Sequence, residues 1–561
     1  MRTIPSLFRP LFAAAGALAL SPGVAHACGG FFCNLDEPVD QAGETIVFEV
    51  DEQENTVTMH VEVEYEGPAE SFAWVVPVKG EPDLFISAEV LFDRLRELTR
   101  PSYWVNYKDD GCESYRGYGS DNAAFSDGDD DDSSASTGGY PPSAGVDVLA
   151  SGAVGAYETV TLSAESSESL VTWLQMNEFD VPSSLADNLA PYVAGGMNFV
   201  ALKLAKDKDV GDMSPLGLRY EGTTPVVPLT LTAVAATPDM PLTVMLLGPA
   251  RGVPLNYLHV GLNPLAIDYW SGGANIDDVI TRGADEAGGQ GFATEYALPL
   301  QAEGLVYRDG QYDLDRLEDA TGAADFVMLL QEAGFSGNAE LLEILMDVVP
   351  VPEDFPSDPS DFYNSPWAYE EWYAMVDFDL DEAIAAVDEG IVTPLEKAQE
   401  MLDRSAYLTR LRSSISPEEM TLDPFFSFNP DLAPKNPSSE MTVQRRCGPG
   451  IGTDAYEVPQ RLVYPEGQTM MIPSQADLDA KGMTPFEYVQ EYSDFAALYI
   501  QQMSISGDPE MLSDRSDQAL PQDLDSDGAS EAAGCGCNSS SAGWGWAALL
   551  GAAATMARRR R

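Results

Sequence analysis

The sequence predicts an α+β fold, a largely antiparallel sheet with packed helices and a helix-rich second half. Three observations carry this reading. Strand-like runs crowd the first half, amphipathic helical runs dominate from Asp313 onward, and 44% of the 561 residues are hydrophobic, enough for a globular core. Residues 45–50 and 57–65 read as strands joined by a turn at 52–55. The second run alternates, placing Val57, Met59, Val61, Val63 and Tyr65 on a buried face and Thr58, His60, Glu62 and Glu64 on a solvated one. Residues 72–78 are almost continuously apolar and are expected to complete a three-stranded meander, with an amphipathic helix at 84–100 ending before Pro101.

Residues 108–145 are rich in Asp, Ser and Gly and are expected to form an acidic disordered insertion. Their apolar area is too small to offset the entropy of ordering them. Strands are expected again at 157–162, 198–204, 226–234 and 242–247, with helices at 163–179 and 187–193. Further helices are expected at 314–332, 338–348, 381–389 and 394–412, and strand character returns at 442–463. No repeat of 20–50 residues stands out.

The ends of the chain predict export. Met1-Arg2-Thr3, an apolar run over 11–20, Pro22 and Ala25-His26-Ala27 form a signal peptide over 1–27 with a small-x-small cleavage site. Cleavage leaves Cys28 first. Lipoprotein sites carry a branched aliphatic and a small residue three and two places before the Cys, where this chain has Ala25 and His26, so a lipid on Cys28 stays an alternative. Composition agrees with an extracytoplasmic protein: 30 Lys and Arg face 91 Asp and Glu, a net charge of −61, which disfavours nucleic acid and anionic lipid head groups as partners.

Six cysteines fit an oxidising compartment. With Cys535 and Cys537 in the tail, Cys28, Cys33, Cys112 and Cys447 allow three pairings, among which the sequence does not choose. Gly29-Gly30 lets a short ring close between Cys28 and Cys33, which pairs Cys112 with Cys447 by elimination.

At the other end, Gly534-Cys535-Gly536-Cys537 precedes a Ser-rich spacer, an apolar segment over 544–556 and four arginines at 558–561. The apolar segment is shorter than the ~20 residues of a comfortable transmembrane helix. This arrangement resembles the MYXO-CTERM sorting domain of myxobacterial surface proteins. The resemblance implies that a myxosortase-like protease removes the tail, that a lipid joins Cys535 or Cys537, and that the protein is displayed at the outer surface after passing through the inner membrane. The resulting organisation is a signal peptide at 1–27, a globular region at 28–510, an acidic linker at 511–533 and the sorting tail at 534–561.

Two blocks in the body carry a second resemblance. Cys28-Gly29-Gly30-Phe31-Phe32-Cys33, Pro38-Val39-Asp40-Gln41 and Phe72-Ala73-Trp74-Val75-Val76-Pro77 form one; Tyr407-Leu408-Thr409-Arg410-Leu411-Arg412 and the run from Pro417 through Asp423-Pro424 to Phe425 form the other. Together they resemble the bacterial domain of unknown function family 2330 over roughly 28–435. That family has no assigned activity, so the resemblance implies export and a unified fold. Read as residues, Tyr407, Leu408 and Leu411 are expected on one helical face, with Arg410 and Arg412 projecting toward carboxylates.

No nucleophile elbow, phosphate loop, HExxH or dinucleotide motif is present. After signal removal the histidines are His60, expected in solvent, and His259, expected to be buried and hydrogen-bonded. The cysteines form no CxxC pair, which argues against a zinc site. Asp523, Asp525 and Asp527, followed by Gly528, match the first half of a calcium loop, but its twelfth position falls on Gly534, so weak calcium binding competes with a plain acidic spacer. The leading expectation is a cell-surface interaction or structural module with an unknown envelope or extracellular partner and no cofactor. The alternative is a secreted hydrolase using carboxylates on extracellular polymer. A hydrolase requires a cleft with converging carboxylates free of arginine, and a binding module an exposed apolar or aromatic surface, for which residues 365–373 are the best candidate.

Overall fold

The computed structural model describes residues 31–32, 40–66, 73–112, 145–177, 179, 181, 185–204, 214–338 and 340–518. Five strands come first: β1 (Phe31–Phe32), β2 (Asp40–Asp51), β3 (Thr56–Glu66), β4 (Ala73–Val78) and β5 (Asp83–Ile86). Helix α1 (Glu89–Thr99) and strands β6 (Ser102–Asp110), β7 (Val146–Val154) and β8 (Tyr157–Ala164) follow. Next are helices α2 (Ser167–Met176) and α3 (Leu185–Ala194), strands β9 (Asn198–Leu204) and β10 (Leu216–Glu221), and the single turn α4 (Leu229–Thr232). The middle of the chain holds β11 (Met240–Gly248), β12 (Arg251–Pro254), β13 (Leu258–Leu262), α5 (Ile276–Glu286) and β14 (Gly291–Pro299).

A helical stretch then runs through α6 (Leu314–Leu317), α7 (Ala323–Glu332), α8 (Leu341–Val348), α9 (Pro359–Asn364), α10 (Glu370–Tyr373), α11 (Leu380–Val387) and α12 (Thr393–Arg404). The chain returns to strands with β15 (Tyr407–Ile415), β16 (Phe426–Asn429), β17 (Ser438–Arg446), β18 (Gln460–Val463) and β19 (Thr469–Ile472). Helices α13 (Gln475–Lys481) and α14 (Pro485–Gln490) precede β20 (Ala497–Gln502) and β21 (Glu510–Asp514).

The fold is α+β. Its centre is a ten-stranded sheet in the order β21-β20-β13-β14-β15-β11-β2-β3-β10-β5. Its pairings are antiparallel except β2 with β11 and β13 with β14. The alternation of β2 sends Ile46 and Phe48 to one face and Val47 to the other, and both faces are covered. On the first face, Ile46, Phe48, Met59 and Leu246 pack against Trp74, Val200 and Leu202 of the five-stranded sheet β1-β4-β9-β8-β7. On the second, Val47, Met245 and Leu247 pack against Leu95, Phe326, Leu395 and Leu402 of the helices. Helices α2 and α3 cover the far side of the five-stranded sheet through Trp173, Leu174 and Leu189. The four-stranded sheet β19-β18-β17-β6 forms its own apolar centre with Leu265, Tyr269, Leu478 and Val489. Each such large apolar side chain contributes roughly 1.5–3 kcal/mol on full burial.

Several expectations are corrected by this packing. β4 does not extend a meander with β2 and β3 but pairs with β9 in the second sheet. Its continuous apolar run is explained there, since Trp74 and Val76 face the large sheet while Val75 faces α2 and α3. Residues 84–100 divide into β5 and α1, because Leu84 and Phe85 pair with β10. Residues 226–234 form no strand: Pro228 caps α4, and a proline cannot donate to a sheet ladder. The helix expected over 314–332 divides into α6 and α7, with residues 318–322 between them non-helical and the N–H and hydroxyl of Thr321 both donating to Asp325.

The largest correction concerns 394–412. The helix ends at Arg404 and Tyr407–Ile415 is a strand, central in the ten-stranded sheet between β11 and β14. Two long neighbours offer it a full set of backbone partners, which outweighs its helical spacing. The sheet also continues past residue 510, where β21 pairs with β20. Cys112 and Cys447 are joined as a disulfide, tying the loop after β6 to the end of β17 across a sequence separation of 335. Among the described residues no helix is long and apolar enough to cross a membrane.

Candidate functional site

Converging buried charge singles out one pocket, of about 190 Å³, between the ten-stranded sheet and the β6–β17 side of the four-stranded sheet. Larger hollows exist near Pro77 and Tyr220 (about 390 Å³) and beside Glu49 and Arg404 (about 430 Å³). Neither of them gathers as many buried ionisable groups. At roughly 30 Å³ per water, the pocket holds about six waters, the size of a small ligand.

Its floor is made by an irregularity in β14. Thr294 lies opposite Leu411 and Tyr296 opposite Arg410, so Glu295 is the extra residue of a β-bulge. Bulges re-aim side chains, and this one turns a carboxylate into the interior. The Glu295 side chain is 2% exposed. Arg410 and Arg412 sit two residues apart on β15 and reach the same carboxylate, Nε of Arg410 at 2.8 Å and an Arg412 nitrogen at 3.9 Å. Arg412 also pairs with Asp277 at 2.7 Å, and Arg410 donates to Thr99 Oγ1 at 3.3 Å. The Arg410 N–H is not aimed at the carboxylate, and neither Glu295 oxygen receives an aligned hydrogen bond among the described residues. Burial pulls the Arg410 guanidinium below its ordinary pKa, and Glu295 opposes that shift.

His259 of β13 stands beside Glu295 on this floor. It is 5% exposed and its Nε2 lies 3.1 Å from Thr294 Oγ1. Burial pushes its pKa down to about 3, and the nearby Arg251 cation adds to the effect. The imidazole is therefore neutral at physiological pH, with too little basicity to take a proton from a hydroxyl. Arg251 of β12 donates to the Ala433 carbonyl at 2.8 Å, yet its buried Nε has no hydrogen-bond partner among the described residues. Lys435 lies at the same pocket, its side chain exposed and its backbone paired with Ala297.

Aromatic walls complete the enclosure. Tyr103 and Tyr269 meet edge to face at 5.7 Å, and the Tyr269 and Ser439 hydroxyls share a 3.0 Å hydrogen bond. Burial raises both phenols, with Glu295 adding to the effect on Tyr103, and Tyr269 reaches about 12. Gly261 and Gly273 make room for two of these rings. A Cβ would fall 2.1 Å from the Tyr499 ring at Gly261 and 2.3 Å from the Tyr103 ring at Gly273.

The expected site residues are distributed differently. Cys28, Cys33, Cys535, Cys537, Asp523, Asp525 and Asp527 lie outside the described residues, as do most of 108–145 and the segment 544–556. Cys112 and Cys447 anchor the two strands whose other ends line the pocket. Arg410 and Arg412 do meet a carboxylate, though from a strand. His60 is a correction: it is 3% exposed, its Nδ1 lies 2.6 Å from Ser87 Oγ, and its ring packs edge-on against Phe85. The Phe85 side chain reaches over Gly217 of β10 to the His60 ring, and Ser87 meets it from the segment leading into α1, while Glu64 on the same face of β3 stays exposed. The aromatic surface at 365–373 shrinks to Trp367, which is 62% exposed, because Tyr373 stacks on Phe362 at 3.9 Å and Tyr369 and Trp372 pack against Phe355.

Sequence reasoning missed Glu295, Arg251, Tyr103 and Tyr499. A signal existed for the first: a lone Glu inside the run Phe292-Ala293-Thr294-Glu295-Tyr296-Ala297-Leu298 is a charge in an otherwise buried strand. Glu295 is clamped by two arginines, and Glu44, raised to about 7 by burial, has an oxygen sealed from solvent.

Comparison with known proteins found no matching curated protein and no matching solved structure. A family model does match, over residues 22–427, described as an uncharacterized protein conserved in bacteria (DUF2330). The match includes the bulge of β14 and the arginines of β15, and it ends before β17 and β20, which supply the outer wall of the pocket. With most of its length covered by that match, the chain belongs to the DUF2330 family of uncharacterized bacterial proteins.

Proposed function

We propose that the chain is an exported ligand-binding module of the bacterial envelope, displayed at the cell surface after its C-terminal tail is processed. The observation that carries the binding reading is the state of the pocket's ionisable groups. Glu295 is held by Arg410 and Arg412, and His259 is a neutral imidazole beside cations. These groups are set to hold polar atoms in place, while a general acid–base pair needs groups that exchange protons near pH 7. Support for display comes from the signal-peptide pattern, the charge of −61 and the Cys, apolar, Arg order of the tail. A myxosortase-like protease is the processing partner which that order implies.

Saturation-transfer NMR of the purified full chain against mixtures of envelope sugars and organic acids tests the binding reading. Signals from a small polar ligand, recovered unchanged after long incubation, are expected; steady consumption of the bound compound would establish an enzyme instead. Protease shaving of intact cells tests display. Loss of the protein from cells whose cytoplasmic markers survive is expected, and full protection would refute surface exposure.

A further inference from the structure

The hollow of about 390 Å³ lies where the ten-stranded and five-stranded sheets part company, beside the turn between β2 and β3. Met59 of β3 and Tyr220 of β10 come from the inner face of one sheet, and Val76 and Val78 of β4 from the inner face of the other. These sealed side chains form an apolar floor. In front of it the lining is open to solvent: Tyr192, Met197 and Tyr220 are half-buried and Val226 is 38% exposed. An apolar hollow of roughly 300–1,000 Å³ with a few polar groups is the usual form of a small-molecule site. One such polar group is Asp423, which is half-buried and accepts the Tyr192 hydroxyl at 2.5 Å on one oxygen and the Thr230 N–H at 2.8 Å on the other. A carboxylate offers about four acceptor positions, so it retains capacity for a further donor. Lys79 and Glu221 line the same hollow, both exposed and of opposite sign, which leaves the charge of Asp423 as the balance. Tyr192 and Tyr220 bring two aromatic rings to the lining, and a cation gains further from a ring face.

We propose that this hollow binds an organic monocation with an apolar body, an amine whose ammonium donates to Asp423 and whose hydrocarbon part lies against the floor between the two sheets. The site is separate from the pocket at the β14 bulge and stands or falls independently of the binding reading given for that pocket. The net charge of −61 works in its favour, since it enriches small cations near the surface and repels anions.

The test is calorimetric titration of the purified full chain at pH 7 and about 0.15 M salt, where diffuse attraction is screened beyond roughly 8 Å. The probes are phenylethylamine, its neutral counterpart phenylethanol, the anion phenylpropionate, and methylammonium, a cation without an apolar body. Phenylethylamine is expected to bind, with each of the others at least roughly tenfold weaker, the scale of one lost charge-assisted contact or one lost apolar body. Asp423→Asn keeps the shape of the side chain and removes its charge; it is expected to cost the amine roughly tenfold and to leave the weak phenylethanol affinity unchanged. Val226→Trp, at an exposed position, fills the hollow from its mouth and is expected to weaken amine and alcohol together by roughly tenfold. Circular dichroism verifies the folding of each variant, and should Asp423→Asn lose its fold, the ratio of amine to alcohol affinity in the wild type decides the charge assignment. Equal affinity for amine and alcohol overturns the assignment of a cation, as does phenylpropionate binding more tightly than the amine. Methylammonium binding as well as phenylethylamine reports the acidic surface alone and overturns the apolar site. Amine binding undiminished by Val226→Trp places the ligand elsewhere, and failure of the amine to bind at all overturns the proposal outright.

Discussion

Replacing Arg410 by Met strips the clamp of its nearer cation without changing the length of the side chain much. Glu295 is 2% exposed and Arg410 11%, so the pair is largely shielded from water. At 2.8 Å and an effective dielectric of about 20, the attraction is roughly 6 kcal/mol. Arg412, at 3.9 Å, remains and softens the loss. Breaking a buried pair by removing one partner typically costs about 3–5 kcal/mol, and that is the deficit expected at pH 7. Urea unfolding at pH 7, followed by tryptophan fluorescence for wild type, Arg410→Met and the Arg410→Met, Glu295→Leu double variant, measures the deficit. The double variant should regain a large part of the loss, because an apolar pair has no charge to strand. A loss below about 1 kcal/mol in Arg410→Met, or no recovery in the double variant, would refute the clamp.

Three further outcomes are expected. Glu44, raised to about 7 by burial against an ordinary 4.5, weakens the fold as pH climbs through that window, so Glu44→Gln should stabilise by up to about 3 kcal/mol at pH 8 and not at all below pH 4; an equal shift at both ends contradicts it. Reduction of Cys112–Cys447, or its replacement by serines, should lower stability by about 2–4 kcal/mol, and a urea midpoint unchanged by dithiothreitol argues against the linkage. Gly261→Ala puts a methyl 2.1 Å from the Tyr499 ring and should cost about 1–3 kcal/mol; a variant of wild-type stability means the wall yields freely.

Strands β2, β3, β8, β9 and β11 were legible because each is a short run whose period of two or continuous apolarity is written in neighbouring residues. The same local signal exposed α2, α3, α7, α8 and α12 and the α+β class that follows from them. Local spacing fails where a distant partner decides. Tyr407 to Arg412 satisfies a helical spacing nearly as well as an extended one, and only the ladders offered by β11 and β14 make it a strand. His60 sits among polar neighbours on β3, yet β5 and Ser87 arrive from further along the chain to cover it. The continuous apolarity of β4 announces burial on both faces without saying which sheet it joins.

The site divides the same way. That Arg410 and Arg412 seek carboxylates follows from their charge in a chain of net charge −61. That they converge on Glu295 depends on a one-residue bulge, and a bulge is a property of two strands in register. The pocket itself draws on β6, β12, β13, β14, β17 and β20, which are brought together only by the closure of two sheets. Composition, charge and the patterns at the two ends belong to the sequence by itself, since each is read within a few residues. The orphaned Arg251 Nε, the depressed His259 and the stranded oxygens of Glu295 belong to the tertiary structure alone, because burial and hydrogen-bond satisfaction are set by residues from other elements of the fold.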